Sequence, residues 1–152
     1  MIIEFSKILF PTDFSEWAEY AGRYALSIAK KYGSKIYVAH VVEPFTYAAD
    51  FGIDYGTQFK EMEATARKLL DDSVASMKKA GADIDSVLLS GNPYAEIIKL
   101  AKKEEVDLIV MATHGRTAIE HLLMGSVAEK VLRKSPCPVL TVKKTGHSST
   151  TP

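Results

Sequence analysis

Hydrophobic and polar positions along the chain follow two different spacings, and their alternation predicts a protein of alternating strands and helices. Short apolar runs bounded by turn-forming residues are typical of strands that are buried in a sheet. Five such runs occur, at KILFP (7–11), IYVAHVV (36–42), DSVLLS (85–90), VDLIVMA (106–112) and PVLTV (138–142).

The segments between these runs carry apolar residues at helical spacing. Gly33 and Gly81 provide helix stop signals, whereas Asn92 and Pro93 supply a capping residue and a proline suited to the first helical position. The predicted helices cover 15–32, a long segment after residue 56 that ends near residue 80, a segment that begins at residue 93, and 126–134.

This alternation predicts an α/β fold, with a mostly parallel sheet covered by helices on both faces. The length of 152 residues, with 47% hydrophobic and 25% charged residues, suits a single domain with a substantial core. We expect that domain to cover residues 1–143, followed by a polar, flexible tail over residues 144–152. We find no internal repeat.

Charge and cysteine content narrow the class of protein. Nineteen basic residues balance nineteen acidic ones, which argues against a broadly basic surface for nucleic acid or an anionic membrane. An anionic ligand must therefore be held locally. The single cysteine, Cys137, excludes an internal disulfide and a clustered thiolate metal site.

The chain is expected to be cytoplasmic. No apolar run approaches the roughly 20 residues that a membrane helix needs. The start of the chain, MIIEFSK, has neither the basic region nor the long apolar stretch of a signal peptide.

The connection from Thr113 to Gly125 is about twice as long as a usual strand-to-helix loop in an α/β unit. It contains Gly115 and ends at Gly125, and Ser126 with Glu129 has the spacing of a capping box. Glycines that permit positive φ and close approach, beside the positive end of a helix dipole, make a phosphate cradle plausible. The alternative is that both glycines only turn the chain and Ser126 only caps the helix.

Three segments resemble the universal stress protein family, and the resemblance covers residues 4–143. They are HGRTAIEHLLMGSVAEKVLRKSPCPVLTV (114–142), KILFPTDFSEWA (7–18) and AHVVEP (39–44). The resemblance implies a doubly wound open sheet of five parallel strands in the order 3-2-1-4-5, similar to the adenine nucleotide alpha hydrolases. In such sheets ligands bind beyond the carboxyl ends of the strands, where the strand order reverses.

The ATP-binding branch of that family has a signature of glycine, two residues, glycine, nine residues, glycine, and serine or threonine. The last three elements match Gly115, Gly125 and Ser126, whereas Ala112 stands at the first position. A required positive φ at that position would cost alanine about 1 kcal/mol, and an ordinary φ would cost nothing.

The resemblance implies a binding site for ATP, with Mg²⁺ bound through the phosphates. Asp13 would accept hydrogen bonds from the ribose hydroxyls, although it could instead cap the following helix, as could Ser15. Val41 would contact adenine or simply pack in the core. The implied contacts are Pro11, Thr12, Asp13, Val41, Met111, Ala112, His114, Gly115, Arg116, Gly125, Ser126 and Val127.

Other candidates have weaker support. Arg116 could pair with a phosphate or lie in solvent, and no nearby acidic residue in the sequence is placed to orient His114 as a general base. The remaining histidines lack metal-ligand spacing, so no protein metal site and no catalytic residue are predicted. The aromatic loop 43–56 could cover a nucleotide, contact a second subunit or pack on its own domain.

The leading hypothesis for function is an ATP-binding switch in a stress response. A homodimer through the last strand, 138–142, is implied by the resemblance and suits an apolar strand at a sheet edge. One alternative is a dimeric interaction module of the same family that binds no nucleotide. The other is a slow ATP hydrolase, although the sequence supplies no evident base, arginine finger or acidic magnesium pair.

Overall fold

The computed structural model describes residues 1–44, 55–115 and 124–144. In these ranges, five strands and four helices alternate along the chain. They are β1 (Lys7–Pro11), α1 (Glu16–Tyr32), β2 (Lys35–Val42), α2 (Tyr55–Lys78), β3 (Asp83–Ser90), α3 (Pro93–Lys103), β4 (Leu108–Ala112), α4 (Ser126–Lys134) and β5 (Val139–Val142).

The strands form one parallel sheet in the order β3-β2-β1-β4-β5, which confirms the predicted fold class. Ile8 of β1 pairs with Ile36 of β2 on one side and with Leu108 of β4 on the other. The order therefore reverses between β1 and β4, and the connections that leave these two strands open a crevice at their carboxyl ends.

Helices cover both faces of the sheet, and each face has its own apolar core. One core joins the sheet to α1 and α2 through Ile8, Phe10, Ala21, Ala25, Ala29, Ile36, Val38, Leu70, Val74 and Val110. The other joins it to α3 and α4 through Leu9, Ala39, Ile97, Leu100, Ile109, Met111, Ala128 and Val131. Alternate residues of each buried strand supply the two cores, as the period of two requires.

Helix α1 lies close to the sheet because its inward residues are small. Its buried positions are alanines together with Gly22, where an added Cβ atom would lie 3.1 Å from the ring of Phe10. Ser15 caps the helix by accepting a hydrogen bond from the Ala18 N–H at 3.2 Å, and Gly33 ends it with a left-handed φ of 67°. These signals hold the start of α1 at the carboxyl end of β1.

Three elements begin about two residues away from the sequence-based expectation. Strand β3 begins at Asp83, two residues earlier, because it pairs with β2 along its whole length. Strand β4 begins at Leu108 because the Asp107 carboxylate instead accepts the Ser6 and Lys7 amides at 2.9 Å. Helix α2 begins at Tyr55, within the segment that was expected to be a loop.

Two predicted segments fall largely outside the described residues. They are the aromatic loop, of which 45–54 are not described, and the polar tail, of which 145–152 are not described. Among the helices that are described, none combines the length and the apolar character needed to cross a membrane.

The position of β4 inside the sheet, between β1 and β5, gives a stability prediction. Ile109 is fully buried, so Ile109→Ala should lower the free energy of unfolding by about 2–5 kcal/mol, measured by urea titration. Leu132, which is 48% exposed on α4, is the control, and Leu132→Ala should change stability by no more than about 0.5 kcal/mol. Equal effects of the two changes would contradict the burial of Ile109 between the sheet and its helices.

Candidate functional site

A cavity of about 1220 Å³ opens beyond the carboxyl ends of β1, β2 and β4. The structure brings nearly all of the predicted contact residues together around it. Those that line it are Pro11, Thr12, Asp13, Val41, Met111, Ala112, His114, Gly115, Gly125, Ser126 and Val127. Arg116, the remaining candidate, lies outside the described residues.

The turn after β1 presents Asp13 to this cavity. The N-cap of α1 is Ser15 and not Asp13, so Asp13 is not the residue that caps this helix. The Asp13 Oδ1 atom accepts a hydrogen bond from the Ser15 N–H at 3.0 Å. That bond fixes the direction of the carboxylate, and the other oxygen, Oδ2, points toward the connection that follows β4.

The backbone of Gly115 lies directly against the Asp13 carboxylate. A Cβ atom added at Gly115 would lie 2.6 Å from Asp13 Oδ2, well inside van der Waals contact. Since any other residue would collide with this oxygen or displace it, glycine is needed here for close approach. The contact holds the β1 turn and the β4 connection side by side at the mouth of the cavity.

Gly125 brings the start of α4 back to the end of β4. Its N–H donates to the Thr113 carbonyl at 2.6 Å, and an added Cβ atom would lie 3.2 Å from that same oxygen. The two ends of this connection, at Thr113 and Gly125, are therefore adjacent. This closure places the first turn of α4 on the cavity wall.

The predicted capping box is wrong. Gly125 is the N-cap of α4, and Ser126 is already the first helical residue, so its hydroxyl is not placed to cap. The Glu129 N–H makes the first backbone bond of the helix, to Gly125 O at 3.0 Å, whereas its carboxylate pairs with Arg133 at 2.7 Å. No side chain of the described residues caps this end, which leaves the amides of Ser126, Val127 and Ala128 ahead of the first helical bond.

Neither signature glycine adopts the positive φ that this residue type permits. Gly125 has a φ of −70°, and Gly115 is absent from the described glycines that have positive φ. Both glycines serve close packing rather than an unusual backbone conformation. Ala112 is likewise in ordinary extended backbone within β4, where it is buried and pairs with Val142, so alanine causes no strain at the first signature position.

Val41 packs against the core beneath α3 and α4 and also lines the cavity, so contact with adenine stays a prediction. His114 lies beside the cavity, with Nδ1 3.0 Å from the Thr113 hydroxyl and its ring centroid 5.6 Å from that of Trp17. The pair formed by Trp17 and His114 links the first turn of α1 to the β4 connection.

Sequence reasoning missed part of the cavity wall. The inner face of α2 contributes Gln58, Glu61, Met62, Thr65 and Leu69. Their helical spacing indicated only an amphipathic helix, and no local signal shows which cavity such a face meets. His40 and Thr113 also line the cavity, although His40 was considered only as a metal ligand.

Two other candidates do not form reactive sites. Within residues 1–44, 55–115 and 124–144, no group of three or more His, Cys, Asp or Glu residues could hold a metal ion. Burial raises the pKa of the Cys137 thiol, which keeps it protonated at neutral pH, and its neighbour Ser135 lies 3.6 Å from Sγ. A structural role for Cys137 fits this environment.

The close approach of Gly115 to Asp13 gives a second prediction. Gly115→Ala should destabilise the fold by about 1–3 kcal/mol, because its methyl group would overlap the carboxylate. In the Asp13→Ala background the same change should cost less, since the overlapping oxygen is gone. Urea unfolding of the two single variants and the double variant measures this coupling, and additive effects would contradict the contact.

A model of the universal stress protein family matches residues 4–143. Among curated relatives, universal stress protein MJ0531 of Methanocaldococcus jannaschii is 34% identical over 144 residues, which cover 92% of this chain and 83% of the relative. The solved structure of MJ0577 has a TM-score of 0.82 and 31% identity, over 94% of this chain and 99% of that one.

Two further structural neighbours were solved with adenine nucleotides. The universal stress protein from Archaeoglobus fulgidus in complex with dAMP has 26% identity and a TM-score of 0.69, covering 93% of this chain and 100% of its own. A universal stress protein in complex with cAMP has 26% identity and a TM-score of 0.68, covering 94% and 100%. From the family model, the relatives and the shared fold, the chain belongs to the universal stress protein family.

Proposed function

We propose that this protein binds ATP, with Mg²⁺ held through the phosphates, in the cavity beyond β1 and β4. Occupancy of the site would act as a switch in a cytoplasmic stress response. The observation that carries the proposal is the contact between Asp13 and Gly115, which places a fixed carboxylate at the mouth of a cavity also lined by the start of α4.

The two sides of this mouth suit different parts of a nucleotide. The Asp13 carboxylate can only accept hydrogen bonds when ionised, and ribose hydroxyls are donors of the right kind. The first turn of α4 offers amides and the positive end of a helix dipole, which favour phosphate. This arrangement needs no excess of basic residues, in keeping with a net charge of zero.

The residues present fit a phosphate group on geometric grounds. No side chain among the described residues caps α4, so the amides of Ser126, Val127 and Ala128 precede the first helical bond on the cavity wall. The two neighbours solved with dAMP and cAMP support adenine as the base. The triphosphate is the more specific part of the proposal, and it rests on Gly115, Gly125 and Ser126 of the signature.

Binding without fast turnover is the form of the proposal that the site supports best. His114 lies next to the cradle, but no acidic residue in the local sequence is placed to orient it as a general base. Slow hydrolysis would require a base or an arginine that the sequence does not evidently supply. We therefore assign no catalytic residue.

We also propose a homodimer that pairs through β5 and its flanking residue, 138–142. Strand β5 is an edge of the sheet, and Leu140 is 36% exposed there. The opposite edge, β3, exposes the carboxylates of Asp83 and Asp85, which discourage pairing with another strand. Of the two edges, β5 is therefore better suited to self-association.

Thermal unfolding with and without ATP and Mg²⁺ tests nucleotide binding. At 100 times its dissociation constant, ATP should add about 2.7 kcal/mol of stability, which corresponds to a rise in Tm of about 5–10 °C. Gly125→Val should abolish the rise, because its side chain would crowd Thr113 at the start of α4. Leu132→Ala, on the exposed face of the same helix, should keep it.

The circular dichroism spectrum of Gly125→Val should match that of the wild type, so that loss of the rise reports the site rather than unfolding. No rise for the wild type at millimolar ATP would contradict nucleotide binding and favour an interaction module. Phosphate release followed over hours separates a switch from a hydrolase, and release unchanged by Gly125→Val would come from a contaminant.

Sedimentation velocity tests the dimer. Leu140→Lys places a charge on the β5 edge and should convert the dimer to a monomer at tens of micromolar protein, as expected for a charge at an edge strand. Asp83→Lys, the matched change on the β3 edge, should leave the dimer intact. A wild-type monomer, or a dimer lost only with Asp83→Lys, would contradict this interface.

A further inference from the structure

The turn that presents Asp13 has a strained backbone, which contacts with other segments must stabilise. Phe14, the next residue, has a φ of 64°, a left-handed conformation that a bulky side chain rarely adopts. Local bonds join the Phe14 N–H to the Thr12 hydroxyl at 3.1 Å and the Ser15 N–H to Asp13 Oδ1 at 3.0 Å. Strain of this kind persists where surrounding structure fixes the backbone, and it concentrates at functional sites.

Backbone pairing between β1 and β2 ends just before this turn. The last ladder pair joins Pro11 to Ala39, and the Thr12 N–H still donates to Ala39 O at 2.8 Å. The Thr12 carbonyl lies 2.7 Å from Nδ1 of the His40 side chain. A side chain of β2 thus continues the attachment of the turn where the sheet stops.

The His40 ring contacts the turn on both sides of Asp13. Besides its bond to Thr12, it packs against Phe14, with ring centroids 4.4 Å apart and planes inclined by 36°. The residue before Asp13 and the residue after it are therefore both held by one imidazole.

The bond to Thr12 also fixes the tautomer of His40. A carbonyl oxygen only accepts hydrogen bonds, so Nδ1 must carry the hydrogen and donate it. The Thr12 carbonyl and the Asp13 amide belong to one rigid peptide plane. Holding the oxygen therefore restrains the orientation of that plane and the position of the Asp13 Cα atom from which the carboxylate projects.

We infer that His40 is a positioning residue, which holds the Thr12–Phe14 turn so that the Asp13 carboxylate faces a ribose in the cavity. This inference rests on the proposed nucleotide binding and assigns a residue that determines how well the ribose is bound. His40 acts through Asp13, although it also lines the cavity.

Two variants separate the contacts that His40 makes. His40→Phe keeps a ring against Phe14 but removes the donor, which leaves the Thr12 carbonyl without this hydrogen bond. His40→Asn loses the ring but places an amide N–H close to the position of Nδ1. If positioning depends on the donor, His40→Phe should weaken ATP binding about tenfold, the equivalent of about 1.4 kcal/mol, and His40→Asn should restore it to within about threefold.

Isothermal titration calorimetry with ATP and with 2′,3′-dideoxy-ATP distinguishes a positioning role of His40 from a purely structural one. The dideoxy nucleotide lacks the ribose hydroxyls, so its affinity should be the same for the wild type and His40→Phe. In the Asp13→Ala background, His40→Phe should cause no further loss of ATP affinity, because the group it positions is absent.

The outcomes distinguish this inference from the proposed function. Equal losses of ATP and dideoxy-ATP affinity in His40→Phe, or a full loss that persists in His40→Asn, would overturn the positioning role while leaving nucleotide binding intact. Unchanged ATP affinity in His40→Phe would overturn it as well. A wild-type protein that binds neither nucleotide would overturn the proposed function, and this inference with it.

Discussion

The site depends on one steric constraint, the contact between the backbone of Gly115 and the carboxylate of Asp13. There is no room for a side chain between them, since an added Cβ atom would lie 2.6 Å from the oxygen. The contact joins the connection after β4 to the turn after β1, at the point where the strand order reverses. A carboxylate and the first turn of a helix consequently share one cavity wall, although they come from opposite halves of the chain.

The start of α4 explains how a chain without net charge could hold a polyanion. Binding by main-chain amides requires that the amides lie ahead of the first helical bond. In α4 this condition is met because Gly125, rather than Ser126, is the N-cap. A capping side chain would have satisfied one of those amides. The uncapped start of α4 therefore gives the phosphate proposal more support than the sequence pattern alone.

Sequence analysis predicted the strands of the sheet because strand spacing is a local pattern. The family resemblance supplied the strand order and the part of the cavity wall that is formed by the ends of β1 and β4 and the start of α4. Sequence analysis was wrong on the capping role of Ser126, which depends on how the loop closes onto Thr113. It missed the contact of His40 with the Thr12 carbonyl, because no local pattern shows that a β2 side chain reaches that oxygen. The inner face of α2 was missed for the same reason, because it meets the cavity through segments that are distant from it in the sequence.

The central claim, that the first turn of α4 receives the phosphates, is tested most directly by backbone amide chemical shifts. The protein would be titrated separately with ATP and with adenosine, which lacks phosphate, and the amides of Gly115, Ser126 and Val127 followed in ¹H–¹⁵N spectra. The account predicts that these amides shift with ATP and stay nearly unchanged with adenosine. Amides of α4 that do not move at saturating ATP, or that move equally with adenosine, would contradict it.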